Sequence, residues 1–244
     1  MLQEQEQKLF KEWKSRQGYE FFVSDGVFEK DAWNSKKVKI TFILKEANCP
    51  NKTQDLCDWL MDPKKSGKGG WQTWNNIARW SKALLEGGEY PAYISAEERR
   101  KWLSKVSFLN LKKEGGGPRA KPKKIREAAR NDAGFIQRQL LLYQPDLIIC
   151  CGKWLVSDIL EKEVLCREGV PILDREEVDG VSCFYTRFPG KERPTPVVDF
   201  YHPEWFKGGH EQWRIFFEQM KMIRSVFLPT SKAVAPSAFQ SSLP

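Results

Sequence analysis

Asp146-Leu147-Ile148-Ile149-Cys150-Cys151-Gly152 is the stretch that decides the fold. From Leu147 to Cys151 no polar residue interrupts the run, so a strand built from it presents apolar side chains on both faces. Such a strand needs helices above and below it, which is the situation in a mostly parallel sheet. Cys150 and Cys151 point to opposite faces and read as small hydrophobes. Working outward, 38–44 (Val-Lys-Ile-Thr-Phe-Ile-Leu) and 106–111 (Val-Ser-Phe-Leu-Asn-Leu) precede it as strands. Further strands are predicted over 181–188 and 197–201.

Helical spacing fills the gaps. Leu2, Leu9, Phe10 and Trp13 predict a helix over about 2–15. Others are predicted near 55–61, over 72–86, over 96–103, and as one long helix over 125–141 that stops before Pro145. A helix over 153–160 follows the central strand, and Trp213, Phe216, Phe217, Met220 and Ile223 mark a closing helix. Residues 46–70 and 112–124, rich in Gly, Pro and Lys, read as loops. The Ser-, Pro- and Ala-rich 229–244 reads as a disordered tail. The expected organisation is one α/β domain over 1–228, a three-layer α/β/α sandwich with a mostly parallel central sheet.

The chain has 244 residues, 41% of them hydrophobic, enough for a sizeable core. Forty Lys and Arg against thirty-two Asp and Glu leave a net charge of +8, which favours an anionic partner such as nucleic acid. Ten tryptophans exceed what such a core needs, so some rings are expected to face a ligand. Six cysteines without C-x-x-C spacing predict a reducing, cytoplasmic setting and no disulfides. No signal core and no apolar stretch of membrane length is present in the sequence.

In a parallel sheet, ligands bind beyond the carboxyl ends of the strands. Polar residues leave the apolar runs there at Lys45-Glu46-Ala47-Asn48, at Asn110-Leu111-Lys112-Lys113 and at His202-Pro203-Glu204-Trp205. The ends near 48, 110 and 202 are expected to converge on one cavity. His202 there can polarise a ligand oxygen, and Pro203 stiffens the turn that aims it; a packed or capping histidine is the plainer alternative. Asn110 can read a pyrimidine edge with its donor and acceptor, or cap a turn. Glu46 and Asn48 can orient a water, or cap a helix.

Residues 112–126 gather Lys112, Lys113, Arg119, Lys121, Lys123, Lys124 and Arg126 around Gly115-Gly116-Gly117, with Glu114 as the one acid. That loop can lie along a phosphate backbone, or be a solvated charged loop. Lys64, Lys65 and Lys68, interleaved with glycines and followed by Trp71, make a second such element. Cys151-Gly152-Lys153-Trp154 lacks the P-loop pattern, Pro118 breaks a dinucleotide fingerprint, and His202 and His210 lack zinc spacing. No metal or cofactor is expected.

The order of these pieces resembles the uracil-DNA glycosylase superfamily, most closely its families four and five. Phe42-Ile43-Leu44-Lys45-Glu46-Ala47-Asn48 lies at that superfamily's water-activating motif. Ser107-Phe108-Leu109-Asn110-Leu111-Lys112-Lys113 is similar to its T-N-x-V-K strand. Gln144–Gly152 is similar to its P-x-x-I-[IV]-x-x-G strand, and Tyr201-His202-Pro203 to its H-P-S motif. The resemblance implies a monofunctional glycosylase that flips a base out of DNA and hydrolyses its N-glycosidic bond with water, leaving an abasic site. It implies that His202 donates to the pyrimidine O2, that Asn110 reads the base edge and that Glu46 or Asn48 positions the water. Trp71 would stack on the base and Trp205 and Phe206 would sit at the duplex wedge. Lys112, Lys113, Arg119, Lys121, Lys123 and Lys124 would track the DNA, with the protein acting as a monomer.

Three departures shape the expected substrate. Lys45 replaces the first motif's glycine, Glu204 replaces the serine after His-Pro, and the iron–sulfur cysteines of family four are absent, so no cluster is expected. The altered first motif extends the expected substrates from uracil to modified pyrimidines. Glucosylated hydroxymethylcytosine in phage DNA, which superfamily members acting in phage defence remove, is one of these. Two alternatives stay open: a non-catalytic nucleic-acid-binding module on the same fold, and a nucleotide or nucleoside hydrolase.

Overall fold

The computed structural model describes residues 1–64, 72–205 and 209–228. In chain order the elements are α1 (Leu2–Gln17), β1 (Val23–Ser24), α2 (Lys30–Trp33), β2 (Ile40–Leu44), β3 (Gln54–Asp55), α3 (Leu56–Met61), α4 (Gln72–Leu85), α5 (Ala96–Leu103), β4 (Ser107–Asn110), α6 (Pro122–Asn131), α7 (Ala133–Tyr143), β5 (Leu147–Cys151), α8 (Leu155–Ile159, continued by a π-helical turn Leu160–Leu165), β6 (Ile172–Val178), β7 (Val181–Thr186), β8 (Thr195–Phe200) and α9 (Gly209–Phe227).

Six strands form the main sheet in the order β4-β2-β5-β8-β7-β6. The first four are parallel, with Leu44 opposite Asn110, Ile43 opposite Cys150 and Cys151 opposite Phe200. The β7 strand runs antiparallel to both β8 and β6. The fold is therefore mixed α/β with a mostly parallel sheet between helices. Alternate strand residues feed two cores. Phe42, Phe108, Ile149, Cys151 and Val198 pack under α3, α4, α5 and α9, through residues such as Leu60, Trp80, Trp102 and Phe216. Ile43, Leu109, Ile148, Cys150 and Val197 pack under α1, α6, α7 and α8, through Trp13, Ile125, Ile136 and Val156. The apolar run of β5 is buried along its whole length, and Leu147, Ile148 and Ile149 each contribute about 1.5–3 kcal/mol by leaving water.

Several elements depart from the expected bounds for local reasons. The long helix over 125–141 is two helices. Asp132, at φ −99° and ψ 7°, ends α6 and starts α7; its buried carboxylate accepts from the Tyr19 hydroxyl at 2.6 Å. The 112–124 loop is shorter than expected because Pro122 takes the first position of α6. The helix after β5 begins at Leu155, because Trp154 adopts φ +65°. Both Asp199 carboxylate oxygens accept from the Trp154 N–H, at 2.8 and 2.9 Å. The β6 strand was not anticipated. Its Asp174-Arg175-Glu176-Glu177 segment faces solvent at the sheet edge, where charge discourages edge-to-edge pairing. No helix among the described residues is long and apolar enough to cross a membrane. Residues 229–244, Trp71 and Phe206 lie outside the described residues.

Candidate functional site

Because the first four strands are parallel, Leu44, Asn110, Cys151 and Phe200 all end on one edge of the sheet. The chain runs from β2 outward to β4, then returns past β2 to β5 and β8. Its crossovers thus diverge at β2 and β5, the place where open α/β sheets hold ligands. A cleft of about 630 Å³ opens there, and its walls include Lys45, Glu46, Asn48, Asn110, His202 and Glu204. The strand ends near 48, 110 and 202 therefore do meet in one cavity. Leu44, Leu56, Trp59 and Trp74 form its apolar walls.

His202 follows β8 and is half-buried. Its Nδ1 accepts from the Glu204 backbone N–H at 3.2 Å, which leaves the proton on Nε2. Burial, aided by the nearby Lys45 charge and opposed by Glu204, pulls its pKa down to about 4. At neutral pH the ring is an uncharged hydrogen-bond donor. The loop carrying it is tied to α4 at two points. Thr73 Oγ1 donates to Glu204 Oε1 at 2.6 Å, and Asn76 Nδ2 donates to the Pro203 carbonyl at 2.7 Å. Arg79 Nη1 donates to Asn76 Oδ1 at 2.9 Å and so fixes the direction of that amide.

Asn110 ends β4 and is buried. Its backbone N–H and its Nδ2 both donate to Asp25 Oδ2, at 2.6 and 3.0 Å. Rotating the amide would turn Oδ1 onto the carboxylate, so Asp25 fixes which way the amide points. Oδ1 and the second Nδ2 proton are left over. Asp25 is placed by β1, which pairs with β3 and is anchored by Ser24 Oγ donating to Asp55 Oδ2 at 2.9 Å. Asp25 Oδ1 accepts from Lys113 Nζ at 2.6 Å and from Gln139 Nε2 at 2.8 Å, all inside the protein.

This geometry corrects part of the basic stretch. Lys113 is fully buried, paired with Asp25 and lying over the Trp13 and Phe10 rings, so it does not reach a nucleic acid. Lys112 is also held inside: its Nζ donates to Glu46 Oε2 at 2.9 Å and to the Glu114 carbonyl at 2.8 Å. Arg126 pairs with Asp158 and Glu163. Arg119, Lys121, Lys123 and Lys124 are exposed, next to Gly117, Pro118 and Ala120 on the cleft wall. Trp205 is half-buried against Tyr201 and Phe216, at 5.1 and 5.8 Å between ring centres, rather than standing free as a wedge.

The three glycines do not form an open phosphate cradle. The Gly116 N–H donates to the Ala47 carbonyl at 2.8 Å. A Cβ on Gly116 would fall 2.1–2.3 Å from the Glu46 carboxyl group, and one on Gly115 would fall 2.0 Å from the Cys49 carbonyl. The glycines instead let this loop lie against the chain from Glu46 to Cys49. The Glu46 carboxylate is thereby gripped from both sides, while Asn48 stays exposed on the rim.

Sequence reasoning missed the cleft's aromatic walls, Trp59 and Trp74, which lie on α3 and α4 rather than at a strand end. It also missed Asp25, which lies far away in sequence and carries no motif. A neutral donor, an oriented amide, a gripped carboxylate and aromatic walls together suit a flat, polar, ring-shaped ligand that develops negative charge. The chain matches no protein-family model and no curated protein sequence.

Proposed function

We propose that this protein is a DNA glycosylase acting on uracil or a modified pyrimidine. The carrying observation is the neutral His202, its Nε2–H available as a donor in a cleft that also holds Asn110 and Glu46. In this reading the base leaves DNA and enters the cleft between Trp59 and Trp74. Asn110, with its amide direction set by Asp25, pairs with the base edge. As the N-glycosidic bond breaks, negative charge spreads onto the base oxygen and His202 Nε2–H donates to it. An uncharged donor held in place needs no reorganisation as that charge appears. Glu46, its other oxygen on Lys112, holds the attacking water. Arg119, Lys121, Lys123 and Lys124 follow the phosphates.

The test is incubation with duplexes containing uracil, hydroxymethylcytosine or glucosylated hydroxymethylcytosine, followed by alkali and heat. Strand breaks at the modified position are expected with at least one of them. His202→Ala is expected to lower turnover by about 10²–10³-fold with DNA affinity little changed. No base release from any of these duplexes would refute the reading.

A further inference from the structure

Four lysines lie within three residues of the strand ends at this edge of the sheet, and three are pinned. Lys112 is paired with Glu46, Lys113 with Asp25, and Lys153 Nζ donates to the Tyr201 hydroxyl at 2.7 Å. The fourth, Lys45, makes no side-chain hydrogen bond or ion pair with the described residues. It lies where the crossovers diverge, with its stem passing Gly152, and it lines the cleft half-buried. Burial holds its pKa below the usual lysine range, although Glu204 and Glu46 act against that. An amine kept in a cleft, partly desolvated and unpartnered, has its nitrogen lone pair available at a lower pH than a surface lysine. The glycosylase proposal gives Lys45 no task.

We propose that Lys45 is a nucleophile toward the C1′ aldehyde of an abasic sugar, so that the protein also cleaves the strand as a lyase. This rests on the glycosylase reading for the presence of DNA in the cleft. The uncharged Nζ adds to the aldehyde carbon, the carbonyl pair moves to oxygen, and one proton passes from nitrogen to that oxygen. The hydroxyl then takes a proton from solvent and leaves as water, giving a protonated imine between Nζ and C1′. Loss of a C2′ proton to water or to Glu204 sends its electron pair into a C1′–C2′ double bond while the C=N pair moves onto nitrogen. The nitrogen pair then re-forms the imine, the C1′–C2′ pair moves to C2′–C3′, and the C3′–O bond breaks with the 3′ phosphate departing with its pair. Water hydrolyses the remaining imine and frees Lys45. No oxidant or reductant is consumed.

The experiment uses the full chain and an oligonucleotide whose abasic site is made beforehand by acid depurination. Borohydride reduces a protonated imine to a stable amine, so a covalent protein–DNA band is expected, with the adduct mapping to Lys45 in the digested protein. K45M and K45R should each reduce that band by at least about tenfold, as loss of a covalent nucleophile requires. The exposed Lys8 on α1 supplies the control, K8M, which should trap like the wild type. K45R keeps the positive charge, so full trapping by K45R would overturn the proposal, as would an adduct mapped to other lysines. Base release without any trapping would overturn it while leaving the glycosylase reading intact. Trapping on the abasic oligonucleotide without base release from any duplex would support it and remove the glycosylase reading. Thermal unfolding checks the variants: K45M removes a cation without a partner among the described residues and should melt no lower than wild type.

Discussion

His202 links the cleft to pH in a way that can be measured without knowing the substrate. Its pKa is about 4 in the folded protein against 6.5 for a free side chain. Between those values the unfolded chain binds a proton that the folded chain refuses. The stability that a neutral His202 contributes is therefore complete above pH 6.5 and is lost as pH falls toward 4. At about 1.4 kcal/mol per pH unit, the whole effect is about 3.5 kcal/mol. Buried acids such as Asp132 and Asp199, with pKa values raised by burial, pull the other way as pH falls. The comparison must therefore be between wild type and H202N. Denaturant unfolding of both at pH 7 and at pH 4.5 should show the wild type losing more stability on acidification, by about 2–3 kcal/mol. The chain has two histidines, so an imidazole NMR titration of wild type and H210N assigns the signal directly. A His202 titration at or above 6.5, or equal acid sensitivity of H202N and wild type, would refute the neutral-donor assignment and the role built on it.

Three other outcomes are expected. G115A should cost about 1–3 kcal/mol in denaturant unfolding, because its new methyl meets the Cys49 backbone carbonyl; G116A displaces the Glu46 carboxyl group and should impair base release at a smaller cost in stability, whereas G117A, with open space around it, should be within about 0.5 kcal/mol of wild type. D25A should cost about 3–5 kcal/mol in the same assay, since it leaves Lys113, Asn110 and Gln139 without their shared acceptor in the interior. Replacing both Lys121 and Lys124 by alanine should weaken binding to all DNA sequences alike and flatten the salt dependence, log Kd against log salt, by about 2; a sequence-selective loss would argue against phosphate contact.

What the sequence made legible follows the physics of each element. The unbroken apolar run of β5 announces a strand buried on both faces, and β2, β4 and β8 were readable because short runs of β-branched, aromatic and aliphatic residues outweigh the few polar ones in them. The edge strand β6 was not, because its exposed residues are charged and resemble a loop. The break between α6 and α7 was hidden because Ile125, Ala129, Phe135, Ile136 and Leu140 keep helical spacing across Asp132. Candidate site residues were readable where a strand end meets polar residues, as at Glu46, Asn110 and His202. The fates of Lys112 and Lys113 were not, since their partners Glu46 and Asp25 lie far away in the chain. A lysine in a basic run looks the same in sequence whether it faces solvent or an interior carboxylate. The Gly115-Gly116-Gly117 run signalled close approach correctly, but to the protein's own chain rather than to phosphate.

Arg79 reaches the His202 loop from a distance, and that gives the site a remote handle. The same guanidinium that orients Asn76 also donates to the carbonyls of Pro91 and Ala92, each at 2.9 Å. The connection between α4 and α5 is thereby coupled through one cation to the backbone next to the imidazole. Sequence changes at 91–92 can therefore shift the imidazole without altering any residue that lines the cleft.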